Sequence, residues 1–367
     1  MTALKKRIAG LIEALGPISV SEYMTLCLSD PDHGYYTTRE PFGAAGDFTT
    51  APEISQMFGE LVGVWLVSAW QALGSPADAM VVEIGPGRGT LMKDIARTIA
   101  RIAPVLRSGA SFHLVETSPR LREVQAATLA GSGDFTWHAD IGGLPDRPML
   151  VVGNELFDAL PVHHYVRTAS GWRERVVGLD DDDDLHFYAG AGSIDPELLP
   201  PGADAAPQGA IVEISPARSA LMQRMAERIA ASSGAGLFVD YGYAVAAVGD
   251  TLQALRRHTY DDPLAHPGEA DLTAHVDFSA LAGAARHAGL DAHLLTQGEF
   301  LLGMGLLERA GQLGAAADAA ARERISGEVE RLAGPQAMGD LFKVLAVLPS
   351  GVRVEPFNRK GSPVAAA

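Results

Sequence analysis

Three glycines stand in VVEIGPGRGTLMKDIA, residues 81–96, between an apolar run suited to a buried strand and a run with helical spacing. Glycines in such a turn let backbone come close to a ligand, so the first question is which ligand. The dinucleotide fingerprint Gly-x-Gly-x-x-Gly, started at Gly85 and Gly87, demands a third glycine at position 90, which is Thr90. The phosphate loop of nucleotide hydrolases fits no register of GPGRGTLMK. Pro86 also removes a backbone N–H from a loop that, for phosphate, has to present such groups as a nest.

What remains is an acidic Glu83 on the strand followed by Gly85, Gly87, Gly89 and Thr90, the pattern by which a doubly wound sheet holds S-adenosylmethionine (SAM). Glycines admit the cofactor's amino-acid part and sugar, and an acid suits a cationic sulfonium and ammonium. The test lies on the next strand, where a ribose-reading carboxylate is expected roughly 20 or more residues on. FHLVE ends on Glu116, with Thr117 after it. The third strand, FTWHADI, offers Asp140 to accept from the adenine's exocyclic amine and Ile141 to pack on the ring. The competing structural roles are a helix cap for Glu116 with Thr117 and Ser118, and a turn for Asp140.

These residues need a scaffold. From residue 79 short apolar runs (AMVVEIG, FHLVE, FTWHAD, MLVVGNE, GLFVDYG) alternate with helical patterns, the signature of a parallel sheet covered on both faces. In such sheets ligands sit beyond the carboxyl ends of the strands. The expected architecture is α/β: a doubly wound, mostly parallel, seven-stranded Rossmann-like sheet over residues 79–350. A helical segment, 1–78, precedes it, an antiparallel β-ribbon is inserted at about 162–208, and 351–367 form a tail. The helix ISQMFGELVGVWLVSAWQAL is apolar around most of its circumference and is expected to pack deep against the sheet domain.

A chain of 367 residues, 47% hydrophobic and 20% charged, has ample material for a large core. Its formal net charge of −16 argues against free nucleic acid, whose affinity comes from clustered Lys and Arg. No apolar run approaches the roughly 20 residues needed to span a bilayer, so no membrane insertion is expected. The single cysteine, Cys27, excludes an intrachain disulfide and fits a reducing, cytoplasmic location.

GDFTTAPEISQMFGE (46–60), VVEIGPGRGTL (81–91), VETSPRLREVQ (115–125), GNELFDALPVHHY (153–165), VDYGY (239–243) and GDTLQALRRHTYDDPLAHPGEADLTAHVDF (249–278) follow one another in this order. Together they resemble the MidA-like family of SAM-dependent methyltransferases over roughly residues 10–350. The resemblance implies SAM as cofactor and a protein arginine as acceptor, symmetrically dimethylated. In eukaryotic members the substrate is a core subunit of respiratory complex I.

A guanidinium is planar and charged, so methylating it calls for carboxylates that bind it bidentately. GNELFDALP ends the fourth strand, and Asn154, Glu155 and Asp158 are the candidates there, beside Phe157 as an apolar wall. Asn154 can offer its carbonyl oxygen, and Glu155 or Asp158 can hold the guanidinium; capping and turn roles compete for Asp158 and Asn154. Asp47, Thr49, Thr50, Glu53 and Gln56 cluster polar groups ahead of an apolar helix. Glu53 is either a first-turn acid complementing the helix dipole, a lid residue over the cofactor, or a second acceptor carboxylate. Asp240 and Tyr241 end another strand and could line the acceptor channel. No metal is expected: Asp180–Asp184 reads as a solvated turn, His163 and His164 point to opposite strand faces, and His266, Glu269, Asp271, His275 and Asp277 match no ligand spacing. An assembly protein using the same fold with little turnover, and a small-molecule methyltransferase, are the alternatives.

Overall fold

Runs such as MVVEI and AGLFVDYGY are buried along nearly their whole length, as expected of strands covered on both faces. The computed structural model describes residues 2–38 and 50–358. The chain divides into two units, each discontinuous in sequence: Met1–Phe48 with Phe157–Ala220 and Val245–Val276, and Thr49–Leu156 with Leu221–Ala244 and Asp277–Ala367.

The second unit contains β1 (Met80–Ile84), β2 (Ser111–Val115), β3 (Thr136–His138), β4 (Met149–Asn154), β5 (Ala235–Tyr243), β6 (Leu290–Thr296) and β7 (Phe342–Pro349). Their order across the sheet is β3-β2-β1-β4-β5-β7-β6. Neighbours from β3 to β5 are parallel, and β7 runs antiparallel to both β5 and β6. The chain steps outward from β1 through β2 to β3 and then returns to place β4 on the other side of β1. That reversal is the topological switch point, where doubly wound sheets bind their ligands. The expected mostly parallel sheet is present, and its seven strands are joined by a short eighth, Val276–Asp277, which pairs with β5.

Helix α1 (Gln56–Ala72) buries Met57, Phe58, Leu61, Val62, Trp65 and Leu66, in keeping with its apolar circumference. It lies against α2 (Thr90–Ile102), and its glycines explain the closeness. A Cβ at Gly59 would stand 2.6 Å from the Asp94 Cβ, and one at Gly63 would stand 3.0 Å from the Thr98 Cβ. The sequence groups α1 with the N-terminal segment; in the structure it belongs to the sheet unit.

In the first unit, Gly171–Leu179 pairs antiparallel with His163–Thr168 and Leu185–Ala189, the expected ribbon. The sheet continues beyond residue 208, because Ile211–Ile214 pairs with His163–Val166 and Ile18–Ser19 pairs with Val176–Val177. Helices Ala3–Leu15 and Val20–Ser29 share a core with it, including Leu4, Ile8, Tyr23, Val162 and Val177. Residues 249–278 contain a three-stranded sheet of Gln253–Arg256, Thr259–Asp261 and Asp271–Thr273. No helix among the described residues is long and apolar enough to cross a membrane.

Candidate active site

The turn after β1 uses all three glycines in the left-handed region, with φ of 64°, 52° and 83° at Gly85, Gly87 and Gly89. Gly85 N–H donates to Val115 O, which ties the turn to the end of β2. Gly89 is the N-cap of α2. A side chain at Gly85 would be strained by its φ, and its Cβ would sit 3.1 Å from Leu156 Cδ1. Leu156 belongs to GNELFDALP, so the turn after β1 and the turn after β4 meet at the switch point.

Glu83 is 2% exposed. One carboxyl oxygen accepts from Met92 N–H, while Oε2 has no partner among the described residues. Burial pushes its carboxyl from 4.5 up to about 8, only partly offset by the Met92 hydrogen bond. A buried acid with an unsatisfied oxygen beside this turn is suited to meet a cation.

Glu116 is also buried. Its Oε1 accepts from Ser118 N–H at 2.8 Å, and Oε2 accepts from Gln125 Nε2 at 3.1 Å. Thr117 contributes its backbone N–H to the same carboxylate. Desolvation raises the Glu116 pKa, and these donors pull it back. Ser118 caps the helix α3 (Pro119–Leu129), accepting from Leu121 N–H, so the capping role open to Glu116 falls to Ser118 itself.

Asp140 is exposed and its oxygens accept from Gly142 N–H and from Arg224 Nη2 at 2.9 and 3.0 Å. The neighbouring N–H and guanidinium hold its carboxyl below the usual range. Ile141 is buried and, with Met80 and Met149 at the amino ends of β1 and β4, lines a cavity of about 640 Å³. The glycine turn lies at the opposite, carboxyl end of β1.

At the end of β4, Asn154 Nδ2 donates to Glu155 Oε1 at 3.0 Å, and Asn154 Oδ1 is buried with no partner among the described residues. Glu155 adopts φ 49°, a left-handed conformation that a non-glycine side chain rarely takes, and its N–H donates to Val239 O. Asp240 is fully buried; it accepts from Leu156 N–H and Tyr241 N–H, so it shapes this turn from beneath. Asp158 falls in the other unit, 7% exposed, where its carbonyl accepts from Arg218 Nη2 and Ala274 N–H.

Glu53 reaches the glycine turn. Thr90 Oγ1 donates to its Oε1 at 2.5 Å, and Arg88 Nη1 lies 3.5 Å from its Oε2. It sits in the short helix Ala51–Ile54, whose N-cap residue Thr50 makes no side-chain capping bond, while the apolar helix starts only at Gln56 and has no acid in its first turn. Asp47 and Thr49 lie outside the described residues.

In the first unit, His164, Glu213 and Asp250 bring three candidate ligand atoms within 4.8 Å of one another. Arg175 Nη1 stands 2.7 Å from Asp250 Oδ2 and 3.3 Å from His164 Nδ1, so a guanidinium supplies the positive charge there. Sequence reasoning missed Gln125. A glutamine midway along an amphipathic helix reads as surface, yet it is fully buried.

Residues 61–296 match a family model described as "Putative S-adenosyl-L-methionine-dependent methyltransferase". The chain is 38% identical to the zebrafish (Danio rerio) mitochondrial protein arginine methyltransferase NDUFAF7 over 94% of this chain and 87% of that one. It is 34% identical to the human protein of the same name over 100% and 88%. A crystal structure of a "likely methyl transferase" from Burkholderia thailandensis, bound to S-adenosyl-homocysteine, superposes with a TM-score of 0.82 at 29% identity, covering 96% of this chain and 92% of that one. The glycine turn and the unpartnered oxygen of Glu83 fit such a cofactor. The chain belongs to this family of SAM-dependent methyltransferases, and SAM is its cofactor.

Proposed function

We propose that the chain transfers the methyl group of SAM to an arginine of a protein substrate. The observation that carries the reading is the pair Asn154–Glu155, a buried unpartnered amide oxygen beside a carboxylate held in a strained conformation at the switch point. Strain in a side chain's backbone persists where surrounding structure enforces it, and such positions cluster at reacting centres. SAM supplies a methyl group on a sulfonium, open to in-line displacement.

Asn154 Oδ1 accepts an N–H of the acceptor and fixes the direction of its nitrogen lone pair. Glu155 binds the guanidinium and draws its charge away from the attacking nitrogen. Asp158 falls in the other unit and is given no part in this site. Glu53 is assigned to the glycine turn through Thr90 and not to the acceptor. Glu83, Gly85, Gly87, Gly89, Thr90, Glu116 and Thr117 form the cofactor side of this reading, with Glu116 on the ribose hydroxyls, whereas Asp140, held by Arg224, and Ile141, in the cavity at the amino ends of β1 and β4, are given no part in it. The relatives named protein arginine methyltransferases support the acceptor class. The net charge of −16 favours a basic partner. Within this reading the acceptor is a respiratory complex I core subunit or a similar protein, symmetrically dimethylated, in the cytoplasm.

Incubating the protein with labelled SAM and lysate from a strain lacking it tests the proposal. Label on an arginine of one protein band is expected. Label confined to a small molecule overturns the protein-acceptor reading.

A further inference from the structure

Gln125 lies in α3, and its amide is fully committed. Nε2 donates to Gly87 O at 2.8 Å and to Glu116 Oε2 at 3.1 Å, while Oε1 accepts from Trp137 Nε1 at 2.9 Å. The orientation of that amide is dictated by chemistry. A carbonyl and a carboxylate can only accept, and an indole N–H can only donate, so a flipped amide would lose all three bonds. The residue thus joins the middle glycine of the turn, the acid that ends β2 and the short edge strand β3. A Cβ on Gly89 would lie 3.5 Å from the Gln125 Cα, so the helix backbone also abuts the third glycine.

We infer that Gln125 is a positioning residue of the SAM site, holding the Glu116 carboxylate at a fixed distance from the glycine turn so that it reads the ribose hydroxyls. This rests on the assignment of Glu116 to the ribose. The second oxygen of Glu116 is held from below by the amide, and the first is held by Ser118 N–H. With both oxygens tethered, the lone pairs left over keep one direction, which a pair of vicinal hydroxyls can meet without reorganisation. Without the amide, Glu116 would lose one of its three donors, keeping only the N–H groups of Ser118 and Thr117, and the Gly87 carbonyl would lose a donor. The expected result is a site that still binds the cofactor's amino-acid end and base but grips its sugar poorly.

The test is calorimetry on the full chain with S-adenosylhomocysteine and with its analogue lacking both ribose hydroxyls. The wild type should discriminate between the two. Gln125→Leu should bind S-adenosylhomocysteine about tenfold more weakly, the scale of one charge-assisted hydrogen bond, and bind the hydroxyl-free analogue nearly as well as the wild type does. Trp137→Phe, which removes only the donor to Gln125 Oε1, should shift discrimination in the same direction by less, and it serves if the leucine variant does not fold. An equal loss for both ligands, or no loss, means that Gln125 merely packs the helix, and overturns the inference. Glu116→Gln separates the underlying reading: unchanged discrimination there removes the ribose assignment and the inference with it. Lost discrimination in Glu116→Gln but not in Gln125→Leu overturns the inference alone.

Discussion

Glu83 gives a prediction whose size follows from its surroundings. Its carboxyl has an ordinary value of 4.5 and is pushed to about 8 in the folded chain, chiefly by desolvation. Between those two values the folded state keeps a proton that the unfolded state releases. Stability conferred by this group is therefore complete below pH 4.5, declines as pH rises through the window, and levels off above about pH 8. A full proton of difference corresponds to about 1.4 kcal/mol per pH unit, and the whole window to on the order of 5 kcal/mol. Because the group is entirely buried, solvent screening takes little from that figure. Glu83→Gln replaces the carboxyl with a neutral amide of similar shape. Asp94, raised to about 6, titrates in the same window in both proteins, so the difference between them isolates position 83. Urea unfolding followed by circular dichroism at half-unit steps from pH 5 to 8 should show the glutamine variant gaining on the wild type steadily as pH rises. A difference that stays flat would mean that Glu83 is already ionised in the fold, and the account of an uncompensated buried acid would be refuted.

Glu116→Ala should weaken S-adenosylhomocysteine binding by about tenfold to a hundredfold, the range for hydrogen bonds to a charged group, and unchanged affinity by calorimetry removes its cofactor role. Asn154→Ala should lower kcat by about a hundredfold, with S-adenosylhomocysteine affinity held within a factor of about two, if its unpartnered oxygen serves the acceptor as proposed; a matched loss in cofactor binding would count against that placement. Gly85→Ala should cost about 1–3 kcal/mol in urea unfolding, from its φ of 64° and the nearby Leu156 Cδ1, and a neutral result would mean the turn relaxes freely. Arg218→Met strips donors from the carbonyls of Asp158, Ala274 and His275 and should destabilise by about 3 kcal/mol, measured the same way, whereas a change below about 0.5 kcal/mol shows that water replaces the guanidinium.

The parallel sheet is legible in the sequence because strands buried on both faces appear as unbroken apolar runs, each followed by a helical pattern. The glycine turn is legible because its spacing alone excludes the phosphate alternatives. Glu116 can be found by counting along to the next strand. Gln125 cannot: nothing in VETSPRLREVQ distinguishes a glutamine that faces solvent from one locked beneath a turn. The hairpin within 253–261 is hidden for a different reason. It turns on Arg257 and His258, at φ 53° and 60°, where the usual sequence signal is Asn-Gly or Asp-Gly. The two-residue strand Ile18–Ser19 is too short for any periodicity to declare it. Three roles are open to Glu53 from its position in the chain, and nothing there announces its hydrogen bond to Thr90.

The place of β7 bears on how the chain acquires its fold during synthesis. This strand, near the end of the described sequence, inserts between β5 and β6 and pairs with both. Until Phe342–Pro349 leaves the ribosome, β5 has one unpaired edge and β6 has no partner in the order observed. Synthesis proceeds at about 5–20 residues per second, so that edge stays open for several seconds, a template for pairing with other chains. The nascent protein accordingly has a window in which a chaperone, or slow translation upstream of residue 342, decides between a closed sheet and an aggregate.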